Sequence, residues 1–255
     1  MNINGVKMNK TRRNEMILIK QLNTEKMIDL AQAMKLLNVS ESTARRLFVN
    51  LEQKGVCVRG HGCIRMIDND ITNIYVYERL EGTSVAEKEM IADKAIKLIG
   101  DNDVIFLDAG TTLAKLSARI ADALQEDRLH NLTVFTNSLV NLNLLKDYVK
   151  VNVIGGEYRD NRKDFCGITA EMAIQNICFD KCFVGTDGYN KGVGFTASNF
   201  QTARISRLVI ANSEKRYILA DMDKFNQSSG ICFAKDEDIT DVITNELGGM
   251  EKWKR

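Results

Sequence analysis

The sequence predicts a small α+β head followed by a larger α/β domain with a mostly parallel sheet. Three observations predict this. The chain has 255 residues, and at roughly 100–200 residues per domain that is one large domain or two smaller ones. Charge is divided: residues 1–66 hold 12 Lys and Arg against 5 Asp and Glu, a net of +7, while the other 23 basic and 29 acidic residues sum to −6. The apolar pattern also changes along the chain, from helical stripes to short apolar runs alternating with helices. The predicted boundaries are a head at 9–66, a linker at 67–84 and the α/β domain at 85–250.

Composition sets bounds. Hydrophobic residues at 44% and charged residues at 27% are ordinary globular values, which argues against disorder. Apolar runs reach only about five residues, against the ~20 of a membrane-spanning helix, so no membrane partner is expected. Residues 1–13 are polar, unlike a secretory signal. The six cysteines include no Cys-x-x-Cys pair and read as reduced thiols of a cytoplasmic protein. Proline is absent, which excludes proline-rich linkers.

In the head, residues 12–22 place Met16, Ile17, Ile19 and Leu22 on one helical face, and 26–28 read as a break. Asp29 is a candidate N-cap for a second helix burying Leu30, Ala33, Met34 and Leu37. Asn38 and Val39 form the turn, and Ser40 caps a third helix that buries Ala44, Leu47, Phe48 and Leu51 and ends near Lys54-Gly55. Strands at 56–59 and 63–66 flank Gly60-His61-Gly62 as a hairpin.

Three short helices and a hairpin make a winged helix-turn-helix. In that module the N-terminal half of the third helix enters the DNA major groove. Ser40, Ser42, Thr43, Arg45 and Arg46 are the candidates there, and the hairpin adds Arg59 and His61. Hydroxyls reach phosphates or base edges, and guanidiniums fork onto guanine or clamp phosphate. Arginine pairs are common on the solvated faces of helices, so the weight rests on the pair together with hairpin, caps and charge. Cys57, His61 and Cys63 fit no usual zinc spacing, and no metal or cofactor is expected. Cys178 and Cys182 read as core-lining thiols.

Residues 67–82 read as linker, with a possible strand at 74–77. A helix at 85–98 would bury Met90, Ile91, Ala95 and Leu98. Strands at 104–107, 132–135, 151–154, 181–184 and 216–219 then alternate with helices at 113–124, 138–145, 168–177 and 200–211, the signature of a parallel sheet. Polar or small residues follow every strand: Asp108-Ala109-Gly110-Thr111-Thr112, Thr136-Asn137-Ser138, Gly155-Gly156, Gly185-Thr186-Asp187-Gly188, and Asp221 with Lys224. In open parallel sheets that carboxyl edge is where ligands bind. Gly110 with Thr111 and Thr112 at a helix start suits an anion, and Lys224 could add positive charge. One such loop would be only a capped turn; five converging loops favour a small anionic ligand.

These motifs, in this order, resemble the DeoR family of bacterial transcriptional regulators. They comprise Val39-Ser40-Glu41-Ser42-Thr43-Ala44-Arg45-Arg46, Leu51-Glu52-Gln53-Lys54-Gly55, Arg59-Gly60-His61-Gly62, Leu107 to Thr112, Thr136-Asn137-Ser138, Gly155-Gly156, Phe183 to Gly188 and Ala220-Asp221. The resemblance spans about residues 12–245. It implies a winged helix-turn-helix head and a sensor domain similar to ribose-5-phosphate isomerase. It further implies repression of sugar catabolism, relief by a phosphorylated sugar, operator DNA as partner and a homodimer or homotetramer. Carried over, the effector site would comprise Asp108, Gly110, Thr111 and Thr112, with Thr136, Asn137, Gly156 and Asp187 nearby and Lys224 on the phosphate or a sugar oxygen. Two positions depart from the family pattern: Leu47-Phe48 stands where Asp-Leu is usual, and Cys63 replaces the second glycine of the wing.

Two other readings remain open at this stage. A sugar-phosphate isomerase with an accessory head would use Asp187 as its carboxylate base. Tyr189 and Asn190, however, stand where that pattern has further acids, and the chain is read as no enzyme. A regulator with a vestigial sensor is the other.

Overall fold

The structure, a computed structural model, describes residues 10–25, 27–53, 56–60, 62–66 and 75–246. It divides into two compact units, Met1–Thr83 and Ser84–Arg255.

In the first unit α1 (Lys10–Glu25) buries Leu18, Ile19 and Leu22. Met16, expected inward, is 44% exposed, because the stripe runs through Leu18 instead. The expected break is partly a strand, β1 (Met27–Asp29), whose central Ile28 is buried. Helix α2 (Leu30–Leu37) starts at Asp29 with a reciprocal box: the Asp29 carboxylate accepts from Gln32 N at 2.7 Å, and Gln32 Oε1 accepts from Asp29 N at 2.8 Å. Asn38 closes it in the left-handed region, φ 49°. Helix α3 (Glu41–Gln53) buries Ala44, Leu47, Phe48 and Leu51, as their spacing requires. Strands β2 (Cys57–Gly60) and β3 (Cys63–Met66) pair antiparallel. β1 adds to the far side of β3, giving three strands in the order β1-β3-β2 where two were expected. Val76 joins the core of these helices, and the strand expected at 74–77 gives way to α4 (Tyr77–Glu81). Residues 67–74 lie outside the described residues.

The second unit opens with α5 (Val85–Ala95) and a 3-10 turn, Ile96–Leu98. The inward face of α5 is Lys88, Ile91, Ala92 and Ala95; Met90 is 49% exposed, against expectation. The chain then alternates through β4 (Val104–Leu107), α6 (Thr111–Gln125), β5 (Thr133–Thr136), α7 (Leu139–Leu145) and β6 (Val151–Val153). After β7 (Glu157–Arg159), β8 (Asp164–Cys166) and α8 (Ile168–Ile174) come β9 (Phe179–Gly185), β10 (Gly188–Asn190) and β11 (Gly194–Ala197). The last elements are α9 (Phe200–Ala211), β12 (Ser213–Leu219), β13 (Ile231–Ala234) and β14 (Asp241–Ile243).

Six strands form one parallel sheet in the order β14-β12-β9-β4-β5-β6. Its two faces bury different cores, as alternating strand side chains must. Ile105 and Leu107 pack with α5, α6 and Leu145, while Phe106 packs with residues of α8 and α9. Sequence periodicity did not reveal β14, the β7–β8 hairpin or the antiparallel sheet β10-β11-β13. Cys182 is core as expected, but Cys178 is exposed. Among the described residues no helix is long and apolar enough to cross a membrane, and no cluster of His, Cys, Asp and Glu could hold a metal.

Candidate functional site

The head presents a polar helix start. Ser40, Ser42, Arg45 and Arg46 are exposed and Thr43 half-buried. The Ser40 hydroxyl lies 3.1 Å from those of both Ser42 and Thr43, so three hydroxyls cluster at the first turn of α3. Arg45 pairs with Glu41 at 2.7 Å, one turn back, while both side chains stay more than half exposed. Such a pair is worth a few tenths of a kcal/mol and yields readily to a phosphate. Arg59 on β2 is oriented by Glu52 of α3, which accepts from both its Nε (2.5 Å) and its backbone N–H (3.0 Å). Leu47, where the family pattern has an acid, is 1% exposed and belongs to the core. His61 lies outside the described residues.

In the second unit the carboxyl ends of β4, β5, β9 and β12 gather the other candidates. Gly110 has φ 134°, which favours glycine, and no side chain caps the N-terminus of α6 that follows it. Thr111 is buried, while Gly110 and Thr112 are half-buried. First-turn N–H groups and the helix dipole at such an end favour negative charge.

Lys88 was missed by sequence reasoning. It is 4% exposed on the inward stripe of α5, and burial pushes its ammonium down to about 8, opposed by Asp221 and reinforced by Lys224 and Lys115. Those causes place Lys88, Asp221 and Lys224 in one electrostatic cluster. Asp221 is 5% exposed and Lys224 half-buried, its backbone N–H donating to the Asp221 carbonyl at 3.1 Å. The available signal was the stripe Lys88, Ile91, Ala92, Ala95, which puts a lysine on an apolar face.

Asp108 is 5% exposed. Its Oδ1 accepts from Ala109 N at 2.7 Å and its Oδ2 from Gly185 N at 3.3 Å, which ties β4 to β9. Burial pushes its carboxyl up to about 7, against those N–H groups and the nearby Arg162. Arg162 comes from the unforeseen β7–β8 turn and is itself 7% exposed. Its Nε lies 3.5 Å from Asp164, which Arg159 grips with two bonds of 2.8 and 2.7 Å. Sequence reasoning missed this arginine because its segment shows only alternating charge.

Four expected residues are held by contacts within the chain. Thr136 is fully buried: its hydroxyl donates to Leu107 O at 2.6 Å and accepts from Ser138 N and from Asn141 Nδ2. Gly156 is a steric requirement, since a Cβ there would lie 2.3 Å from the Cys166 carbonyl oxygen. Asp187 is half-buried, its Oδ2 accepting from Ser198 N at 2.9 Å and from its hydroxyl at 2.7 Å. Asn137 is 2% exposed and held by the hairpin, its Nδ2 donating to Phe165 O at 3.1 Å.

Comparison with known proteins agrees with both units. Residues 12–70 match the DeoR-like helix-turn-helix domain, and residues 83–246 match the DeoR C terminal sensor domain. The chain is 31% identical over 222 residues to a lactose phosphotransferase system repressor of Staphylococcus epidermidis, covering 85% of each chain. It is 28% identical over 230 residues to the uncharacterized HTH-type transcriptional regulator FruR of Bacillus subtilis, covering 90% of this chain and 89% of that one. A solved ribose 5-phosphate isomerase from Plasmodium falciparum is similar at 18% identity and TM-score 0.41, over 54% of this chain and 52% of that one. With both of its units matched, the chain belongs to the DeoR family of transcriptional regulators.

Proposed function

We propose that this chain represses a sugar or sugar-derivative catabolic operon and that a phosphorylated sugar releases it from its operator. The observation that carries the reading is the pairing of two chemistries in one chain. One unit has an exposed hydroxyl and arginine face on α3. The other has a buried lysine, Lys88, clustered with Lys224 and Asp221 in the unit whose α6 N-terminus is uncapped. The name of the Staphylococcus epidermidis relative supports the sugar assignment.

The proposed mechanism is linkage. A homodimer or homotetramer presents two heads to two half-sites. The effector phosphate takes donors from the α6 N-terminus, Thr111 and Thr112, and charge from Lys88 and Lys224. The bound state holds the heads at a spacing unsuited to the operator, so effector and DNA each weaken the other by one factor. Catalysis is not part of the proposal. The Asp187 carboxylate is held by Ser198, and the following Tyr189 and Asn190 offer no second base.

The test is binding to DNA from upstream of the protein's own gene at fixed salt, with and without a panel of sugar phosphates. Lys224→Ala and Thr111→Val should bind that DNA as wild type does and no longer be released. Normal release in both variants would refute the pocket assignment.

A further inference from the structure

After β5 and on α7 the carboxyl edge carries two buried acceptor oxygens that a phosphate dianion cannot satisfy, while a third such oxygen, Asp221 Oδ1, lies after β12 in the cluster with Lys88 and Lys224. Asn141, fully buried on α7, donates through Nδ2 to Asp108 O at 3.0 Å and to Thr136 Oγ1 at 3.2 Å. Asn137 donates through Nδ2 to Phe165 O. Turning either amide over would set its oxygen against a carbonyl oxygen, so both orientations are fixed. In these orientations Asn137 Oδ1 and Asn141 Oδ1 are buried and have no hydrogen-bond partner among the described residues. Native interiors leave few such acceptors, and each calls for a donor. A phosphate dianion offers only acceptors, whereas a hydroxyl donates.

Position supports the same division. The proposed anion seat at Gly110–Thr112 follows β4, and Lys88 and Lys224 cluster about Asp221, which follows β12. The two amides lie on the opposite side, after β5 and on α7. β4 and β5 are adjacent, about 4.8 Å apart, so a sugar of five or six carbons anchored by its phosphate at α6 reaches the end of β5. We infer that the effector lies across the strand ends with its phosphate toward β12 and its hydroxyls toward β5, donated to Asn137 Oδ1 and Asn141 Oδ1. This rests on the effector reading above and adds the orientation, the role of Asn141 and a requirement for a polyhydroxylated ligand.

The experiment is calorimetric titration of the full chain with inorganic phosphate, glycerol 3-phosphate, ribose 5-phosphate, fructose 1-phosphate and fructose 6-phosphate. Wild type should bind at least one of the three sugar phosphates well above inorganic phosphate. Asn137→Ala should cut that preference about tenfold, or about 1.4 kcal/mol, and leave inorganic phosphate within about twofold. Asn137→Asp sets a carboxylate oxygen against Phe165 O and a negative charge beside the anion, so it should weaken sugar phosphate and inorganic phosphate alike. Equal loss of sugar phosphate and inorganic phosphate in Asn137→Ala would mean a structural role and overturn the inference. An unchanged preference in that variant would also overturn it, since a buried water would then serve the amide. Wild type that prefers none of the sugars over inorganic phosphate refutes hydroxyl recognition but leaves the anion seat standing. Failure to bind any of the five ligands refutes the underlying effector reading.

Discussion

Replacing Lys88 by methionine separates the cost of a buried charge from its use. Lys88 shares the inward stripe of α5 with Ile91, Ala92 and Ala95. Burial lowers its pKa from 10.5 to about 8, which corresponds to roughly 3 kcal/mol against the charged form in the folded chain. Between those two values the unfolded chain binds more protons than the folded one, so stability rises with pH there. The cost is therefore complete below pH 8 and relieved as pH approaches 10.5. Methionine has a similar length and no charge to desolvate. Lys88→Met should therefore stabilise the protein at pH 7 by up to roughly 3 kcal/mol, or about 5–10 °C in the melting of a unit of this size. The gain should shrink steadily in melts repeated toward pH 9.5. Sugar phosphate affinity should fall at least about tenfold at pH 7, measured by calorimetry, as the anion loses a desolvated cation. A variant less stable than wild type at pH 7, or a gain that does not vary with pH, would show that Lys88 carries no desolvation cost, and an unchanged effector affinity would remove it from the effector site.

Arg45→Ala and Arg46→Ala should each weaken operator binding at least about tenfold in a fluorescence anisotropy titration, with melting shifted by no more than about 1–2 °C because both side chains are exposed. Asp108→Asn removes a carboxyl that burial raises from 3.8 to about 7, but its Nδ2 replaces an oxygen that accepts from Ala109 N or Gly185 N, so any gain at pH 8 should fall short of the roughly 4 kcal/mol in that shift. For a raised acid the penalty is present above pH 7 and relieved as pH falls toward 4, so the difference from wild type in urea melts should move against the variant in that direction. Gly156→Ala should lower stability by about 1–3 kcal/mol, because its Cβ must displace the Cys166 carbonyl; thermal melts followed by circular dichroism would read this.

Much of this was legible in the chain. Ala44, Leu47, Phe48 and Leu51 recur at helical spacing, and α3 buries all four. The run at 104–107 is apolar throughout because β4 is central in the sheet and covered on both faces. Small and polar residues after the strands located the carboxyl edge. Elements held by polar contacts were not legible. β7 and β8 carry Glu157, Arg159 and Asp164, whose pairing is an ion pair rather than an apolar alternation. Met16 and Met90 lie beside the true stripes, and an apolar residue adjoining a stripe reads as part of it. Lys88 was passed over because lysine is ordinarily exposed. Thr136 ends β5 and Gly156 follows β6, but their work is visible only in what touches them: one hydroxyl fully spent inside the protein, one glycine pressed against a carbonyl.

In the proposed mechanism one chain couples operator binding to effector binding. The direct measurement is effector affinity at fixed salt for the free protein and for its operator complex, beside operator affinity with and without saturating effector. Linkage requires one factor in both directions, on the order of 10–100-fold. Effector affinity unchanged by operator DNA, with both ligands bound by wild type, would contradict it.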